Sequence, residues 1–128
     1  MKINKEDNYD YSGDEFEVSL KKKYRGLIIA KDANNNLNYY YNENNDYYKI
    51  KIDSAKNIKY YKNNKLHNDF GPAVIRGDNT EYYYEGKLHN TNGPAIDLTN
   101  GTKEFYLFGI NYNKYTFYKK LKYVQVKN

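Results

Sequence analysis

The chain contains a direct repeat, and its first full copy reads Tyr60-Tyr61-Lys62-Asn63-Asn64-Lys65-Leu66-His67-Asn68-Asp69-Phe70-Gly71-Pro72-Ala73-Val74. The second copy begins 22 residues later and reads Tyr82-Tyr83-Tyr84-Glu85-Gly86-Lys87-Leu88-His89-Asn90-Thr91-Asn92-Gly93-Pro94-Ala95-Ile96. Nine of the fifteen aligned positions are identical. Self-similarity at such a period is the sequence signature of a repeat architecture. The repeat therefore decides the fold.

Two weaker copies flank this pair. One begins at residues 104–109, a residue late because of an insertion at 98–101, and it lacks the Gly-Pro-Ala element. The other lies upstream, where Asn45-Asp46-Tyr47 stands 23 residues before Asn68-Asp69-Phe70. The chain is thus predicted to hold about four units of roughly 22 residues, with degenerate units at both ends acting as caps.

Each unit is expected to form two short strands. Aromatic and β-branched runs alternate with Asn, Gly and Lys turns, which suits an antiparallel meander. Residues 49–52 alternate lysine and isoleucine, so the two isoleucines share one face of a strand. Earlier strands are predicted at about 15–21, 24–30 and 37–42. The predicted fold class is all-β: a twisted antiparallel meander of about eight to ten strands, built from ~22-residue hairpin repeats, with a short C-terminal helix.

That helix is predicted over residues 113–122. Tyr115, Phe117, Tyr118 and Leu121 fall at helical spacing between lysines, and Asn113 is a suitable N-cap. The length predicts one domain. Its expected parts are an acidic, mobile stretch at 1–13, degenerate strands at 15–58, hairpin repeats at 59–112 and a basic element at 113–128.

The composition predicts a polar core rich in tyrosine. Leu, Ile, Val and Phe together number 26 of 128 residues, whereas Tyr alone numbers 18. A tyrosine can bury its ring while its hydroxyl stays hydrated, so it can substitute for aliphatic residues. In the repeats, the side chains predicted to point inward are Leu66, Leu88, Ala73, Ala95, Val74 and Ile96.

Composition also excludes several classes of protein. The chain has no cysteine, which excludes disulfide frameworks, thiolate zinc sites and cysteine nucleophiles and favours a cytosolic location. The longest apolar run is 27–30, far shorter than the ~18 residues of a spanning helix, and residues 1–10 lack a signal-peptide segment. No membrane partner is expected. Lysine, tyrosine and asparagine have A/T-rich codons. Their abundance is therefore explained by an AT-rich genome before it is taken as evidence for an anionic ligand.

The doubled Leu-His-Asn-x-x-Gly-Pro-Ala motif resembles the Gly-Pro-Ala β-hairpin repeats of phage, giant-virus and mobile-element proteins. Those repeats are related to MORN-type hairpins, which also occur in antitoxin-like bacterial proteins. The resemblance covers 60–113 well and 38–59 weakly, with Tyr60, Tyr82 and Phe105 standing where the family usually has Trp. It implies an extended, twisted sheet and no shared catalytic activity.

The two histidines occupy the same position of the repeat. His67 and His89 could bind a metal together with Asp69, or each could hydrogen-bond the backbone of a turn. No established ligand spacing is present, so the structural role is preferred and no metal or other cofactor is expected. The residues assigned to the structural repeat motif are Leu66, His67, Gly71, Pro72, Ala73, Leu88, His89, Gly93, Pro94 and Ala95.

Basic residues interleaved with tyrosine are the candidate binding residues. Single-stranded nucleic acids are bound by such partners, because rings stack on bases and ammonium groups neutralise phosphates. Arginine, which RNA-binding proteins favour, is nearly absent, and tyrosine is equally enriched at protein interfaces. Protein binding is therefore preferred over direct RNA binding. The residues proposed for contact are Lys21, Lys22, Lys23, Tyr24, Arg25, Lys119, Lys120 and Lys122.

These features predict a non-catalytic protein that binds a macromolecule, since no nucleophile elbow, paired carboxylates or phosphate-binding loop stands out. Together with the resemblance, they fit a phage- or prophage-encoded inhibitor of a host defence nuclease. Anti-CRISPR proteins are inhibitors of this type, and an RNA-guided, RNA-targeting effector is a conceivable target. The alternatives are an RNA-binding module and an antitoxin-like protein-interaction repeat.

Overall fold

The computed structural model describes residues 11–127. Most of the acidic stretch predicted to be mobile, 1–13, lies outside the described residues. The elements are α1 (Tyr11–Lys23), β1 (Ile28–Lys31), β2 (Leu37–Glu43), β3 (Asp46–Ile52), β4 (Ile58–Lys62), β5 (Lys65–Leu66), β6 (Val74–Arg76), β7 (Asn79–Glu81), β8 (Tyr83–Tyr84), β9 (Lys87–Leu88), β10 (Ile96–Asp97), β11 (Lys103–Leu107), β12 (Ile110–Tyr112) and α2 (Lys114–Lys127).

Ten of these strands form one antiparallel sheet, which confirms the predicted meander. The order is β1-β2-β3-β4-β6-β7-β10-β11-β12, with β5 paired to β4, while β8 and β9 form a separate hairpin. Strand β4 takes part both in the main sheet and in a hairpin with β5. Its residues 58–59 pair with β6 in the sheet, and its residues 61–62 pair with β5 in a hairpin. Each repeat thus contributes a strand to the sheet and projects a hairpin from it.

The hairpin tips are two-residue turns. Both central residues have positive φ, as a type I′ turn requires, in the turns that follow β2, β4, β8 and β11. The tips are Asn44-Asn45, Asn63-Asn64, Glu85-Gly86 and Phe108-Gly109. The first two tips lie 19 residues apart, so the predicted upstream alignment is wrong: Asn45 lies in a tip, whereas its supposed equivalent Asn68 follows strand β5.

Two loops at the other ends of the strands repeat as well, with a period of 21 residues. One Asp32 oxygen accepts the backbone N–H groups of Asn34 and Asn36, and the other accepts the Asn36 side-chain amide. Asp53 makes the corresponding bonds to Ala55 and Asn57. Equivalent Asp-closed loops therefore join β1 to β2 and β3 to β4, a repeat that the sequence comparison did not detect.

The predicted strand at 15–21 is wrong, because these residues lie in α1. Phe16, Val18 and Leu20 alternate as they would in a strand, yet Val18 is 49% exposed. The packed side chains are Phe16, Leu20 and Tyr24, which are four residues apart and meet Tyr39 of β2 in one cluster. The Phe16 and Tyr39 rings meet edge to face with centroids 5.6 Å apart. The strand predicted at 24–30 begins only at Ile28, after α1 and a turn.

The C-terminal helix is confirmed as α2, which runs from Lys114 to Lys127 rather than over 113–122, and the four residues at helical spacing are not buried equally. Asn113 is the N-cap, and its side-chain oxygen accepts the Thr116 N–H at 2.8 Å. Phe117 is fully buried against Phe105, and Leu121 packs beside it. Tyr115 is largely exposed, and Tyr118 is partly exposed while its ring also contacts Phe105 and Phe117. Neither helix is long and apolar enough to cross a membrane, as far as the described residues extend.

The core consists of two clusters joined by small residues. One cluster lies under α1 around Tyr39 and Ile50, and the other lies under α2 around Phe105 and Leu107. Between them, Ala73, Ala95 and Val74 are buried, as predicted. Leu66, Leu88 and Ile96 are only partly buried. Tyr39 is the fully buried tyrosine of the first cluster, and its hydroxyl donates to Glu17.

A candidate binding loop displaying Phe70

His67 connects two neighbouring repeats. Its side chain is buried, its Nδ1 accepts the backbone N–H of Glu85 at 2.9 Å, and its Nε2 lies 2.9 Å from Asp69 Oδ1. Because Nδ1 accepts, Nε2 carries the proton and donates to the carboxylate. The imidazole therefore fixes the next hairpin tip on one side and the loop that follows β5 on the other.

His89 repeats the first of these bonds. Its Nδ1 accepts the backbone N–H of Phe108, the first residue of the following tip, at 2.9 Å. Burial lowers the pKa of His89, which favours the neutral, accepting form. The Tyr84 ring contacts both imidazoles, with centroid distances of 5.0 Å to His67 and 5.8 Å to His89. A row of rings thus couples the successive hairpins.

These contacts give the histidines the structural role that the sequence favoured, with a different partner. The bonded turn is the tip of the next hairpin rather than the adjacent Gly-Pro turn. Both ring nitrogens of His67 are already occupied by hydrogen bonds. Over residues 11–127, no group of three or more His, Asp or Glu side chains is placed to hold a metal ion.

The loops after the β4–β5 and β8–β9 hairpins are each closed by an asparagine. In the loop at 68–72, hereafter the Phe70 loop, Asn68 accepts the Phe70 N–H at 3.1 Å and donates to the Pro72 carbonyl at 3.0 Å. In the loop at 90–94, hereafter the Asn92 loop, Asn90 makes the same two bonds at 2.9 Å each. The Leu-His-Asn-x-x-Gly-Pro-Ala motif therefore encodes a rigid loop with a defined apex.

The two loops share a scaffold and differ at the apex. Phe70 occupies the apex of the first loop and Asn92 that of the second. The Phe70 residue is 89% exposed, more than any other large hydrophobic residue whose burial is described. Its ring therefore adds little to the folded core. Phe70 was not predicted from the sequence, because the two copies were compared at their identical positions. Phe70 lies at a position where the copies differ, since the second copy has Asn92 there.

Two grooves flank the Phe70 loop. The inter-loop groove has a volume of about 510 Å³ and lies between the Phe70 loop and the Asn92 loop, above Tyr82 and Tyr84. The helix groove has a volume of about 390 Å³ and lies between the Phe70 loop and α1. Phe70 lines both grooves. Lys23 lies on the α1 side, with its Nζ 5.5 Å from the Phe70 ring centroid.

The predicted cluster at 21–25 is only partly available for binding. Lys21 is paired with Glu17 at 3.5 Å, one helical turn earlier. Tyr24 stacks on Tyr41 with ring centroids 3.7 Å apart, so it is a packing residue rather than a free platform. Lys22, Lys23 and Arg25 are exposed. Of these, Lys23 is the residue that lies beside the Phe70 ring.

The second predicted cluster lies elsewhere. Lys119, Lys120 and Lys122 are exposed on α2, which packs on β11 and β12 at one end of the sheet. The cluster at 21–25 comprises the last residues of α1 and the two that follow it, and α1 packs on β2 and β3 near the other end. The structure therefore does not bring the two clusters together into one basic surface.

Comparisons of this chain with protein-family models, with curated protein sequences and with solved structures find no match.

Proposed function

We propose that this protein is a non-catalytic binding protein that inserts Phe70 into an apolar pocket of a protein partner. The observation that carries the proposal is an almost fully exposed phenylalanine at the apex of a hydrogen-bonded loop. Burying such a ring is worth about 1.5–3 kcal/mol, and the isolated fold leaves that free energy unused. A partner that covers the ring would recover it.

The loop is preorganised for this role. Asn68 bonds both sides of the apex, and the neighbouring Asp69 is held by the buried His67. Because these bonds exist before binding, little conformational entropy is lost when the loop docks. Side chains that dominate binding energy are typically aromatic residues surrounded by groups that exclude water. The walls of the two flanking grooves supply such surroundings.

The charge beside the ring favours a partner with an acidic rim. Lys23 is exposed at the end of α1, next to the Phe70 loop. Cations at the rim speed association with an acidic surface and disfavour basic partners. An apolar anchor with a cationic rim supports a protein partner more strongly than a bare phosphate backbone, which offers no pocket for the ring.

We propose a defence nuclease that carries guide RNA as this partner, with the chain acting in the cytosol as a phage- or prophage-encoded inhibitor that occupies the nuclease surface. The support is the Gly-Pro-Ala hairpin resemblance together with the Phe70 loop and its basic rim. The resemblance to antitoxin-like repeat proteins supports a second candidate, in which the partner is a toxin encoded by a neighbouring gene.

The test is affinity capture from host lysate, with and without ribonuclease, using Phe70→Asn. This variant gives the Phe70 loop the apex residue that the Asn92 loop already carries, so the fold should be unaffected. Asn92→Ala is the matched control. We expect wild type and control to retain the same partner and Phe70→Asn to bind it about 30-fold more weakly, as for a residue worth about 2 kcal/mol.

Each outcome identifies a candidate. Recovery of a guide-RNA nuclease supports the inhibitor, and recovery of a small toxin encoded nearby supports the antitoxin-like function. Equal capture by Phe70→Asn would show that the loop is not the binding site. Recovery of RNA without a protein would contradict both protein-binding functions.

A further inference from the structure

The outer surface of α2 carries a second set of exposed rings and cations. We define the Tyr115 face as Lys114, Tyr115, Tyr118, Lys119 and Lys122, which together line a shallow groove of about 520 Å³. Tyr115 is 74% exposed and Tyr118 is 43% exposed. The helix packs on the sheet through Phe117 and Leu121, and the Tyr118 ring adds edge contacts to Phe105 and Phe117, with centroids 6.0 and 4.9 Å apart. Tyr115 is therefore the ring of this face that is most available to a ligand.

The lysines of this face are not neutralised by the described part of the chain. The sequence from Lys114 to Lys127 contains no acidic residue. No ion pair among the described residues involves Lys114, Lys119 or Lys122. The Lys119 ammonium lies 5.4 Å from the centroid of the Tyr115 ring. A cation is therefore held beside an exposed aromatic face.

We propose that the Tyr115 face binds single-stranded nucleic acid. An exposed ring supplies a stacking surface for an unpaired base, and the lysines around it neutralise the flanking phosphates. A duplex keeps its bases stacked on one another and offers this ring no free base face. An acidic protein surface would match the charge but would not use the Tyr115 ring to stack on a base, and the comparison of single strands with a duplex tests this difference. This proposal does not depend on the Phe70 loop, since α2 packs on the opposite end of the sheet from α1.

The charge count gives a quantitative expectation. Four lysines on or beside the face, namely Lys114, Lys119, Lys120 and Lys122, would release counterions from about four phosphates. For a single strand, the logarithm of the binding constant should then fall with the logarithm of salt concentration with a slope of about −3. This slope corresponds to about a 50-fold loss of affinity between about 50 and 200 mM salt.

The experiment is fluorescence anisotropy with short labelled oligonucleotides: oligouridine RNA, oligothymidine DNA and a self-complementary duplex. We expect both single strands to bind more tightly than the duplex. Tighter binding of one of the two single strands shows whether the natural ligand is RNA or DNA. Equal affinity shows that the site recognises the phosphates and bases common to both. Equal or tighter binding of the duplex would overturn the proposal.

Variants separate stacking from charge. Tyr115→Ala should weaken binding about tenfold, whereas Tyr115→Phe should retain affinity, because stacking needs the ring and not its hydroxyl. The double variant Lys119→Ala with Lys122→Ala should reduce the salt slope by about one and a half, whereas the charge-matched pair Lys31→Ala with Lys65→Ala, two exposed lysines outside both proposed sites, should leave it unchanged. Equal losses for the two pairs, or no binding of any oligonucleotide by wild type, would overturn the proposal. Phe70→Asn should not alter oligonucleotide affinity.

Discussion

The imidazole of His67 accepts the backbone N–H of Glu85 at 2.9 Å, across 18 residues of sequence. Its other nitrogen donates to Asp69, so one buried side chain fixes both a hairpin tip and the Phe70 loop. His67→Ala removes both bonds and should lower the free energy of unfolding by about 1–3 kcal/mol. Urea unfolding followed by circular dichroism measures this change, and a wild-type midpoint in the Ala variant would contradict it.

Two conservative variants distinguish the roles of the His67 nitrogens. His67→Asn keeps an acceptor near the Nδ1 position, and His67→Gln keeps a donor near the Nε2 position. We expect Asn to preserve the protection of the Glu85 amide against hydrogen exchange and Gln to preserve the fixed Phe70 loop. If neither variant protects the Glu85 amide or the Phe70 loop better than His67→Ala does, the two His67 hydrogen bonds do not hold these segments in place.

The stability of the protein should fall in mild acid because of His89. Burial lowers the pKa of this imidazole below 6.5, so the unfolded chain takes up a proton at a pH where the folded chain does not. The stability that neutral His89 contributes is complete above about pH 6.5 and is lost as the pH falls through the lower, folded value. His89→Asn retains an acceptor without titrating. Wild type should lose more stability than this variant between pH 7.5 and 5.5, and parallel urea midpoints would contradict the assignment.

A second loss of stability is expected at lower pH from the two Asp-closed loops. The pKa of Asp32 is lowered from 3.8 to about 2, chiefly by the backbone N–H of Asn36, and the pKa of Asp53 is lowered chiefly by the backbone N–H of Asn57. Both carboxylates therefore stabilise the fold above pH 3.8, and each contribution is lost as the pH falls through the lowered, folded pKa, which is about 2 for Asp32.

Asp32→Asn tests this expectation. The variant loses the charged acceptor, so its melting temperature should lie below wild type near neutral pH and converge with it near pH 2. A difference in melting temperature that stays constant over this range would show that the loop depends on shape and not on ionisation.

Positive φ angles make the hairpin tips sensitive to substitution. Gly86 and Gly109 have φ of +86° and +84°, a region that costs most L-residues about 1–2 kcal/mol. Gly109→Ala should therefore lower the free energy of unfolding by about 1 kcal/mol. Gly109→Asn should cost less, because Asn64 occupies the equivalent tip position with φ of +68°. Chemical denaturation of both variants measures the difference, and an equal loss would contradict the turn assignment.

The repeat was sufficient to predict the meander, because each Gly-Pro-Ala unit encodes its own strand, turn and loop. Helix α1 could not be predicted in the same way. Its residues carry both a strand-like alternation, Phe16, Val18 and Leu20, and a helical series, Phe16, Leu20 and Tyr24. Contact with Tyr39 and Ile50 favours the helical series, and both of these residues are distant in sequence.

The binding residues were harder to predict than the fold. Charge density in the sequence indicated 21–25, yet the helix places Glu17 one turn before Lys21 and pairs them. Tyr24 stacks on Tyr41 and is therefore not free to bind a ligand. This contact could not be predicted, because it depends on how α1 lies on the sheet. Phe70 carried a signal that was available in the sequence, since it is an apolar residue at a variable position inside an otherwise matching polar motif.

Asn68, Asn90 and Asn113 occupy equivalent positions in three successive units. The first two close a loop that returns the chain to the sheet, whereas the third accepts the Thr116 N–H and starts α2. What differs is the sequence that follows: Gly-Pro-Ala directs the chain back into another strand, and Lys-Tyr-Thr-Phe lets a helix propagate. The short segment after Asn113 therefore determines where the repeats stop. Inserting a further Gly-Pro-Ala unit after Asn113 would add one repeat to the sheet while leaving the earlier repeats unchanged.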